Sequence, residues 1–332
     1  MKSAAACSKD AGGGMTCANR MPALPANRRP IDARAMGLML MLCLIWGGQQ
    51  VVMKGVAADV APVMQLAIRF AGAAVFFAVW VLRREGRHAF SDGTLPSGLL
   101  LGLMFSLEFL FVGQALVYTS AAHAIVFLYS APIFTALGLQ ILPEERLEPW
   151  HWAGIGAAFL GLVVAFLGPG GRPVLSLLFG DLLALCGGIA WGLSNIVLRR
   201  SRVGRAAVPK TVFYQVATAA LLLLTFAAVT GQFRLIASAP AVAALLFQTL
   251  IISIVGYLVW FWLLSHYLTS RPMLLSLMTP LFGVVFGALL LHDAIDVRFA
   301  VGSALVLAGI LFVHAQPARR PTDKSATGEN AT

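Results

Sequence analysis

The chain has 332 residues, of which 59% are hydrophobic and only 11% are charged, and its mean hydropathy is +0.84. A soluble domain carries about 25% charged residues, so this composition excludes an ordinary soluble fold and indicates an integral membrane protein. The formal net charge of +10 does not indicate a nucleic-acid-binding protein, because the basic residues lie in short connections and tails.

The two ends of the chain differ from the rest in composition. Residues 1–34 are rich in Ala and Gly with scattered basic residues, and residues 317–332 are polar. Such segments do not bury enough apolar surface to offset their ordering entropy, so we expect disorder in 1–34 and 317–332. The four cysteines show no CxxC spacing, which predicts neither a disulfide framework nor a metal site.

Ten apolar runs lie between these ends. Crossing a hydrocarbon core of about 30 Å takes about 20 helical residues. The runs are too long and too unalternated for barrel strands, so they predict an all-α membrane protein. The predicted helices are 36–54, 62–82, 97–117, 121–142, 150–168, 180–198, 211–230, 240–265, 272–291 and 298–315.

The basic residues in the connections predict the orientation of these helices. With a cytoplasmic N-terminus, nineteen of the 24 Lys and Arg residues fall in inside segments. Four fall outside (Lys54, Arg172, Arg234 and Arg298), and Arg69 lies within a helix. This bias predicts a multi-pass inner-membrane protein with both termini cytoplasmic.

Residues 121–166 are repeated at 269–314 with a constant offset of 148. The identical positions include Pro132 and Pro280, Phe134 and Phe282, Gly154 and Gly302, and Gly161 and Gly309. Chance apolar similarity does not place a proline and glycines in one register, so the chain is predicted to be an internal duplication with halves 35–170 and 171–316. Five helices per half is an odd number, which predicts an inverted-topology repeat, an arrangement that serves alternating access.

Several short motifs resemble a known family in their order and spacing. They are 45–47 (IWG), 67–70 (AIRF), 115–120 (ALVYTS), Pro132, and 145–147 (ERL) with Gly154 and Gly161. Over about residues 36–315 the chain resembles the EamA-type members of the drug/metabolite transporter superfamily. The resemblance implies a ten-helix exporter of small metabolites, often amino acids or their derivatives, without a cofactor. The second half matches less closely, since His292-Asp293 replaces an acidic–basic pair and Tyr214 lies near the place of the arginine.

Two charged residues interrupt the predicted helices. Glu108 lies near the middle of the third run, where a charge costs roughly 2.5–3.5 kcal/mol on insertion scales. It is a candidate proton carrier or ligand for a substrate amine, or a neutral acid between helices. Arg69 in the second run is suited to gripping a substrate carboxylate. It could equally extend to the membrane surface or pair with Glu108.

Other candidates carry weaker signals. His123 begins the fourth run and is a candidate proton relay or an interfacial polar group. Pro132 and Pro280 are predicted to remove a backbone donor within a helix, as bending points near substrate or as static kinks. The remaining candidates are polar or aromatic residues within apolar runs, which either pack helices or line a cavity: Trp46, Gln50, Gln114, Tyr129, Trp191 and Asn195.

These features favour one function over its alternatives. The sequence has no P-loop and no clustered intramembrane nucleophiles, so we expect no cofactor and no enzymatic activity. We predict a secondary active transporter that exports small metabolites, such as amino acids, their derivatives or drug-like compounds, by alternating access with proton coupling or exchange. A lipid or polyprenyl-lipid carrier on the same fold and a membrane-embedded enzyme stay as alternatives. The expected partners are a small-molecule substrate and the bilayer, with no nucleic acid, and a homodimer stays open.

Overall fold

The computed structural model of the chain describes residues 8–9, 15–16, 32–139, 149–166, 175–266, 275–276, 278–293 and 295–314. The described strands are one minimal antiparallel pair, β1 (Ser8–Lys9) and β2 (Met15–Thr16), with Ser8 opposite Thr16. Otherwise the described secondary structure is helical apart from one isolated bridge, which confirms the predicted all-α class. The motif at 145–147, the predicted disordered tail 317–332 and most of segment 1–34 lie outside the described residues.

The first half of the chain, up to residue 166, contains seven helices within the described ranges. They are α1 (Ala33–Gly47), α2 (Gln49–Gly55), α3 (Pro62–Glu85), α4 (Leu95–Tyr118), α5 (Ala121–Leu128), α6 (Ala131–Leu139) and α7 (Pro149–Phe166). A 3-10 turn, Arg87–Phe90, lies between α3 and α4. The first and fourth predicted runs are therefore each divided into two helices, at Gly48 and at residues 129–130.

The second half, from residue 175, is described as six α-helices and one irregular segment. The helices are α8 (Leu175–Arg200), α9 (Val208–Val229), α10 (Ala239–Leu246), α11 (Gly256–His266), α12 (Thr279–Leu290) and α13 (Val297–His314). A 3-10 turn, Arg202–Arg205, precedes α9. Between α10 and α11 the backbone forms a π-helix, Phe247–Val255, which we call the π segment. Apolar periodicity does not reveal this rare widened turn.

The starts of the helices follow from local chemistry. The Asp32 carboxylate accepts a hydrogen bond of 2.8 Å from the Ala35 amide and caps α1. Ser120 caps α5 in the same way, through the His123 amide at 3.1 Å. Seven of the described helices have a proline in the first turn, where its missing N–H leaves no helical hydrogen bond unmade. These prolines are Pro62, Pro96, Pro132, Pro149, Pro209, Pro240 and Pro280.

Most of the described helices are long and apolar enough to cross a bilayer. Seven spans have this length and composition, and three shorter apolar helices lie at 152–165, 279–290 and 297–312. Together they correspond in position to the ten predicted runs. The structure is thus that of a membrane protein, while the count of ten crossings stays a prediction.

The helices of the two halves pack on one another extensively. The closest pairings are α7 with α13, α4 with α8, and α3 with α9. The buried core fills the space between these pairs, with Phe70, Phe105 and Phe109 stacked at ring-centroid distances of 4.8 to 5.3 Å. This aromatic cluster surrounds the charged residues described below.

Glycines set the distance between α7 and α13. A methyl group at Gly161 would lie 2.6 Å from the Gly302 carbonyl oxygen, and one at Gly309 would lie 2.5 Å from that of Gly154. Both separations are too short for non-bonded atoms, so no side chain fits at these positions without separating the helices. The two contacts join the repeated positions crosswise, since Gly154 and Gly302 match in sequence, as do Gly161 and Gly309.

Candidate functional site

Arg69 lies on α3 inside the bundle and is only 1% exposed. Its Cζ atom lies 4.4 Å from the ring centroid of Phe70 and 5.0 Å from that of Phe109. Its Nε and Nη1 atoms have no hydrogen-bond partner among the described residues. Cation–π contacts offset part of the cost of burying a guanidinium, about 0.5–2 kcal/mol each, but they satisfy none of its N–H donors. The side chain therefore does not extend to the surface.

Glu108 faces the same region from α4 and is 5% exposed. It lies within electrostatic reach of Arg69, but the described ion pairs do not include these two residues. The Oε2 atom of Glu108 has no hydrogen-bond partner in the described part of the chain. A buried carboxylate and a buried guanidinium thus lie near each other with hydrogen-bonding capacity left unused.

Two tyrosines complete the surroundings of these charges. Tyr257 follows the π segment directly and interacts electrostatically with both Arg69 and Glu108. Tyr129, between α5 and α6, interacts with Glu108 and lies beside Thr279 and Cys43. We call Arg69, Glu108, Tyr129 and Tyr257 the central site. Sequence reasoning missed Tyr257, although a hydroxyl within an apolar run was a signal available for it.

More unpaired polar atoms lie in the same membrane-spanning helices. Buried polar side chains in native proteins nearly always have a partner, so each exception needs an explanation. The further atoms without one, among described residues of these helices, are Gln50 Oε1, Gln248 Oε1 and Ser253 Oγ. Gln248 belongs to the π segment, and its amide donates a 2.9 Å bond to Gln65 Oε1 on α3. The interior of the bundle therefore contains polar atoms whose hydrogen-bonding capacity the described residues do not use.

The other predicted aromatic and amide candidates form a shell of packing contacts. Trp191 on α8 contacts Tyr129 edge-on at 5.2 Å between ring centroids. Asn195 donates a 3.2 Å hydrogen bond to Thr135 Oγ1 on α6. Trp46 on α1 packs edge-on against Trp260 at 5.6 Å. Of these residues, Trp191 is the one that the structure brings against the central site.

The structure corrects the prediction for Pro132 and Pro280. Each was expected to remove a backbone donor within a continuous helix. Instead α5 ends at Leu128 and α6 begins at Ala131, so Pro132 lies in a first turn, and Pro280 lies in the first turn of α12. In the first turn of a helix the backbone N–H groups have no helical acceptor, so proline removes no hydrogen bond there. The helix breaks before these prolines bring Tyr129 and Thr279 to the central site.

Gln114 does not join the central site. Its amide donates a 2.8 Å hydrogen bond to Gln232 in the connection between α9 and α10. Gln114 lies near the end of α4, one turn before Tyr118, and Gln232 follows α9 directly. This pair joins the two halves at one end of the bundle.

His123 belongs to a second polar cluster, at the end of α4. Its Nδ1 atom lies 2.8 Å from Asp181 Oδ2 on α8, and the Thr119 hydroxyl donates a 2.6 Å bond to Asp181 Oδ1. When Asp181 is ionised it only accepts hydrogen bonds, and in that state Nδ1 of the imidazole carries a proton. We call His123, Asp181 and Thr119 the histidine latch. Asp181 is 1% exposed and His123 is 6% exposed.

Two further charges adjoin the histidine latch. The Lys54 ammonium donates to the carbonyl oxygens of Leu116 at 2.5 Å and Thr119 at 2.7 Å. Asp293, between α12 and α13, interacts electrostatically with Lys54 and accepts a 3.1 Å bond from the Ala122 amide. A carboxylate at the N-terminus of α5 is favoured by the helix dipole.

A third polar cluster lies at the opposite end of α4. Lys210 on α9 is 1% exposed, lies 2.6 Å from Asp92 Oδ2, and donates to the Ala89 carbonyl oxygen. We call Lys210, Asp92 and Ala89 the lysine latch. The hydrogen bonds from Lys210 and Thr94 lower the pKa of Asp92 to about 2. Asp92 therefore stays ionised above about pH 4.

No cluster of three or more potential metal-binding His, Cys, Asp or Glu side chains occurs in the described ranges. The polar atoms of the central site are an arginine, a carboxylate and hydroxyls. Such groups bind a small solute with polar or charged groups.

Comparison with known proteins gives the family. The family model of the EamA-like transporter family matches residues 33–167 and again residues 178–315. The chain belongs to the EamA-like transporter family. This EamA protein is 25% identical to the uncharacterized transporter YoaV of Bacillus subtilis (strain 168) over 282 residues, which are 82% of this chain and 94% of the relative.

Other EamA-like relatives have names that state a function. A probable amino-acid metabolite efflux pump of Escherichia coli (strain K12) is 27% identical over 286 residues, covering 82% of this chain and 92% of the pump. A protein of the same description from Salmonella typhimurium is 28% identical, with the same coverage. One solved crystal structure, 18% identical, superposes with a TM-score of 0.59 over 84% of this chain and 95% of that one. That likeness concerns the fold alone.

Proposed function

We propose that this EamA-like protein is a secondary active transporter that exports small metabolites, amino acids or their derivatives first among them, by alternating access. One observation carries the proposal. Arg69 and Glu108 are buried inside a membrane-embedded bundle with hydrogen-bonding atoms that no described residue satisfies. A solute with an anionic and a cationic group would satisfy both, and a proton would neutralise Glu108 between substrates.

The packing of the two halves supports alternating access. The α3–α9 and α7–α13 pairs each join equivalent helices of the proposed repeat. The α4–α8 pair has its counterpart in the contacts of α1 with α11 and the π segment. An inverted repeat is expected to give a pattern of helix contacts that stays the same when the two halves are interchanged. Two such halves can alternate between two conformations around a fixed central site. The two matches to one family model support the same duplication.

The names of the relatives support the direction of transport and the substrate class. Two of the similar proteins are described as probable amino-acid metabolite efflux pumps. In this chain the guanidinium of Arg69 suits a carboxylate, and the carboxylate of Glu108 suits an ammonium group. The aromatic rings of Phe70 and Phe109 beside them suit an apolar side chain.

A lipid carrier is the second candidate, and a specific feature favours it. An open groove of about 270 Å³ lies between α1, α2, the π segment and α12, and apolar side chains such as Val52, Phe247 and Phe286 line it. This groove suits an acyl chain. It contains neither Arg69 nor Glu108, so the two candidate functions depend on different residues.

Resistance of cells that overexpress the protein tests the proposal. Bacteria carrying the wild type are challenged with toxic amino acids, amino-acid analogues and dyes, and intracellular accumulation is measured. We expect selective resistance with lower accumulation, lost in Arg69→Gln. The matched control is Thr225→Ala on α9, whose exposed hydroxyl bonds only to its own helix, at Leu221 O. No protection across the panel, with the protein present in the membrane, would contradict the proposal.

A second variant tests the role of the carboxylate. Glu108→Gln keeps the shape of the side chain but removes its charge and its proton. We expect transport of cationic or zwitterionic solutes to fall at least tenfold, because the ammonium group loses its ionic partner. Normal transport by this variant, with an unchanged dependence on external pH, would show that Glu108 neither binds nor couples.

A further inference from the structure

The histidine latch contains charges that the central site does not use. The first half of the chain supplies His123 and the adjoining Lys54, and the second half supplies Asp181 and Asp293. The bonds made by Asp181 and by Asp293 therefore cross from one half to the other. Any movement that separates the halves at this end must break them.

The charges at this end balance only when an extra proton is present. Lys54 and Asp293 have opposite charges and cancel. With a neutral imidazole, Asp181 leaves one uncompensated negative charge at a position that is 1% exposed. With a protonated imidazole, the net charge is zero. A buried charge without a counter-charge costs several kcal/mol, so closing this end favours the protonated form.

Other titratable groups on the helices that pack against α5 lie elsewhere. On α4, Glu108 is eleven residues before Thr119, about 16 Å along the helix, and Tyr118 packs its half-exposed ring against Phe179. On α8, Arg199 and Arg200 lie at the far end from Asp181.

The remaining neighbours of His123 add no second buried base. Helix α12 contains no charged residue, and α2 has Lys54 alone. The connection before α13 adds the exposed His292 and the half-buried Asp296. The ring of Phe299 covers the imidazole, with 4.0 Å between the ring centroids and 7° between the planes. This cover keeps water from the imidazole while the end is closed.

We propose that the His123–Asp181 pair is a proton-binding site, loaded when this end of the bundle closes and emptied when it opens. The proton comes from water on this side, moves onto the imidazole, and returns to water when the halves separate. This inference rests on the alternating-access mechanism proposed above. Because closing binds one proton, low pH favours the closed end, and the ratio of open to closed molecules rises up to about tenfold per pH unit.

Distances between the halves test the inference without any substrate. Spin labels are placed at Ala58→Cys and Val297→Cys, exposed uncharged positions of the first and second halves at this end, with the native cysteines replaced. Electron–electron resonance distances are recorded on the full chain in lipid nanodiscs from pH 5.5 to 8.5. We expect a short distance at low pH and a growing population of a longer distance as pH rises, with the slope of a single proton.

Variants assign the response to the pair. His123→Gln and Asp181→Asn should each abolish the dependence on pH, the first by removing the base and the second by removing the buried charge. Asp181→Asn keeps an oxygen that accepts the hydrogen bond from the Thr119 hydroxyl. This variant therefore tests the pair even if His123→Gln does not fold. His266→Gln is the matched control, because His266 is exposed on α11 and stacks on Trp262. It should respond as the wild type does.

Two results would overturn the proton site. One is a distance distribution in the wild type that does not change with pH. The other is an unchanged response to pH in both His123→Gln and Asp181→Asn. The transport proposal is judged separately. If the distance between the spin labels changes with pH as expected but the protein confers no resistance, only the export proposal is refuted. A flat distance together with proton-dependent resistance refutes the histidine latch alone.

Discussion

The two ends of α4 are held by different chemistry. At one end, the histidine latch joins an imidazole to a carboxylate that is 1% exposed. At the other, the lysine latch joins a buried ammonium group to Asp92, whose side chain is 47% exposed. The polarity is also exchanged, since the first half gives the base in the histidine latch and the acid in the lysine latch.

The carboxylate of the lysine latch titrates far below the physiological range. Asp92 has its pKa lowered to about 2, so the stability it contributes is present above its unfolded pKa of about 3.9 and is lost as pH falls towards 2. Asp92 therefore keeps its negative charge across the physiological range. The lysine latch is thus a fixed clasp.

The largest effect is expected from breaking the histidine latch on one side only. His123→Leu leaves the Asp181 carboxylate buried with Thr119 as its described hydrogen-bond partner. Removing one member of a buried ion pair costs about 3–5 kcal/mol, so we expect a large fall in the thermal unfolding temperature at pH 6. The double variant with Asp181→Leu should recover much of the loss. Equal losses in the single and double variants would show that the pair does not couple.

A smaller loss is expected from removing the charge of the lysine latch. Lys210→Met keeps the apolar stem but loses two hydrogen bonds from a charged donor, which costs about 1.5–3 kcal/mol. Asp92 is half exposed and returns to water at little cost. The loss in unfolding temperature should be the same at pH 5 and pH 8, as both are above the range in which Asp92 titrates. A loss that varies between these pH values would contradict the fixed clasp.

Lys210→His should make the fixed clasp sensitive to pH. The introduced imidazole lies near the Asp92 carboxylate, which raises its pKa in the folded protein. The stabilisation is then fully present below about pH 6.5, the unfolded pKa, and is lost as pH rises through the folded value. We expect the variant to be about 1 kcal/mol more stable at pH 5.5 than at pH 8.5, relative to the wild type, by thermal unfolding. A pH-independent variant would show that position 210 does not sense Asp92.

The smallest effect is expected where the connection between α9 and α10 meets Asp59, away from either latch. The Ser238 hydroxyl donates to Asp59, and its oxygen caps α10 by accepting a 3.2 Å bond from the Ala241 amide. Ser238→Ala should cost about 0.5–2 kcal/mol through the lost cap, without any dependence on pH above pH 5. Ser238→Asp, which keeps a capping oxygen but faces Asp59, should cost more at pH 7 than at pH 4. Thermal unfolding at pH 4 and pH 7 measures the loss of stability in both variants, and equal losses for Ser238→Asp at the two pH values would contradict the expected repulsion by Asp59.

The all-α class and the position of most helices could be predicted from the sequence. Long apolar runs with proline or glycine at their ends, such as Pro62, Gly86 and Pro209, predict membrane helices and few other structures. The π segment could not, because Phe247–Val255 is as apolar as the helices around it. Its widened turn depends on tertiary packing against α3, where Thr249 lies close to Gly72.

The candidate site was predicted in part, for a physical reason. Arg69 and Glu108 stand out because charge within an apolar run is costly, and that cost is visible in one sequence. The partner of His123 was not predicted, since Asp181 is 58 residues away and lies at the start of an apolar run. Pairing between distant helices depends on how they pack. For the same reason Gln114 was grouped with the central residues although it bonds to Gln232.

The crosswise glycine contacts between α7 and α13 join the two halves directly, apart from the connection between α7 and α8. Gly154 with Gly309, and Gly161 with Gly302, fit the two halves against each other without any covalent link between α7 and α8. Two separate polypeptides, ending after α7 and starting before α8, would meet along this seam if made in the same cell. A gene divided at that point should still give an assembled protein, with each product useless alone.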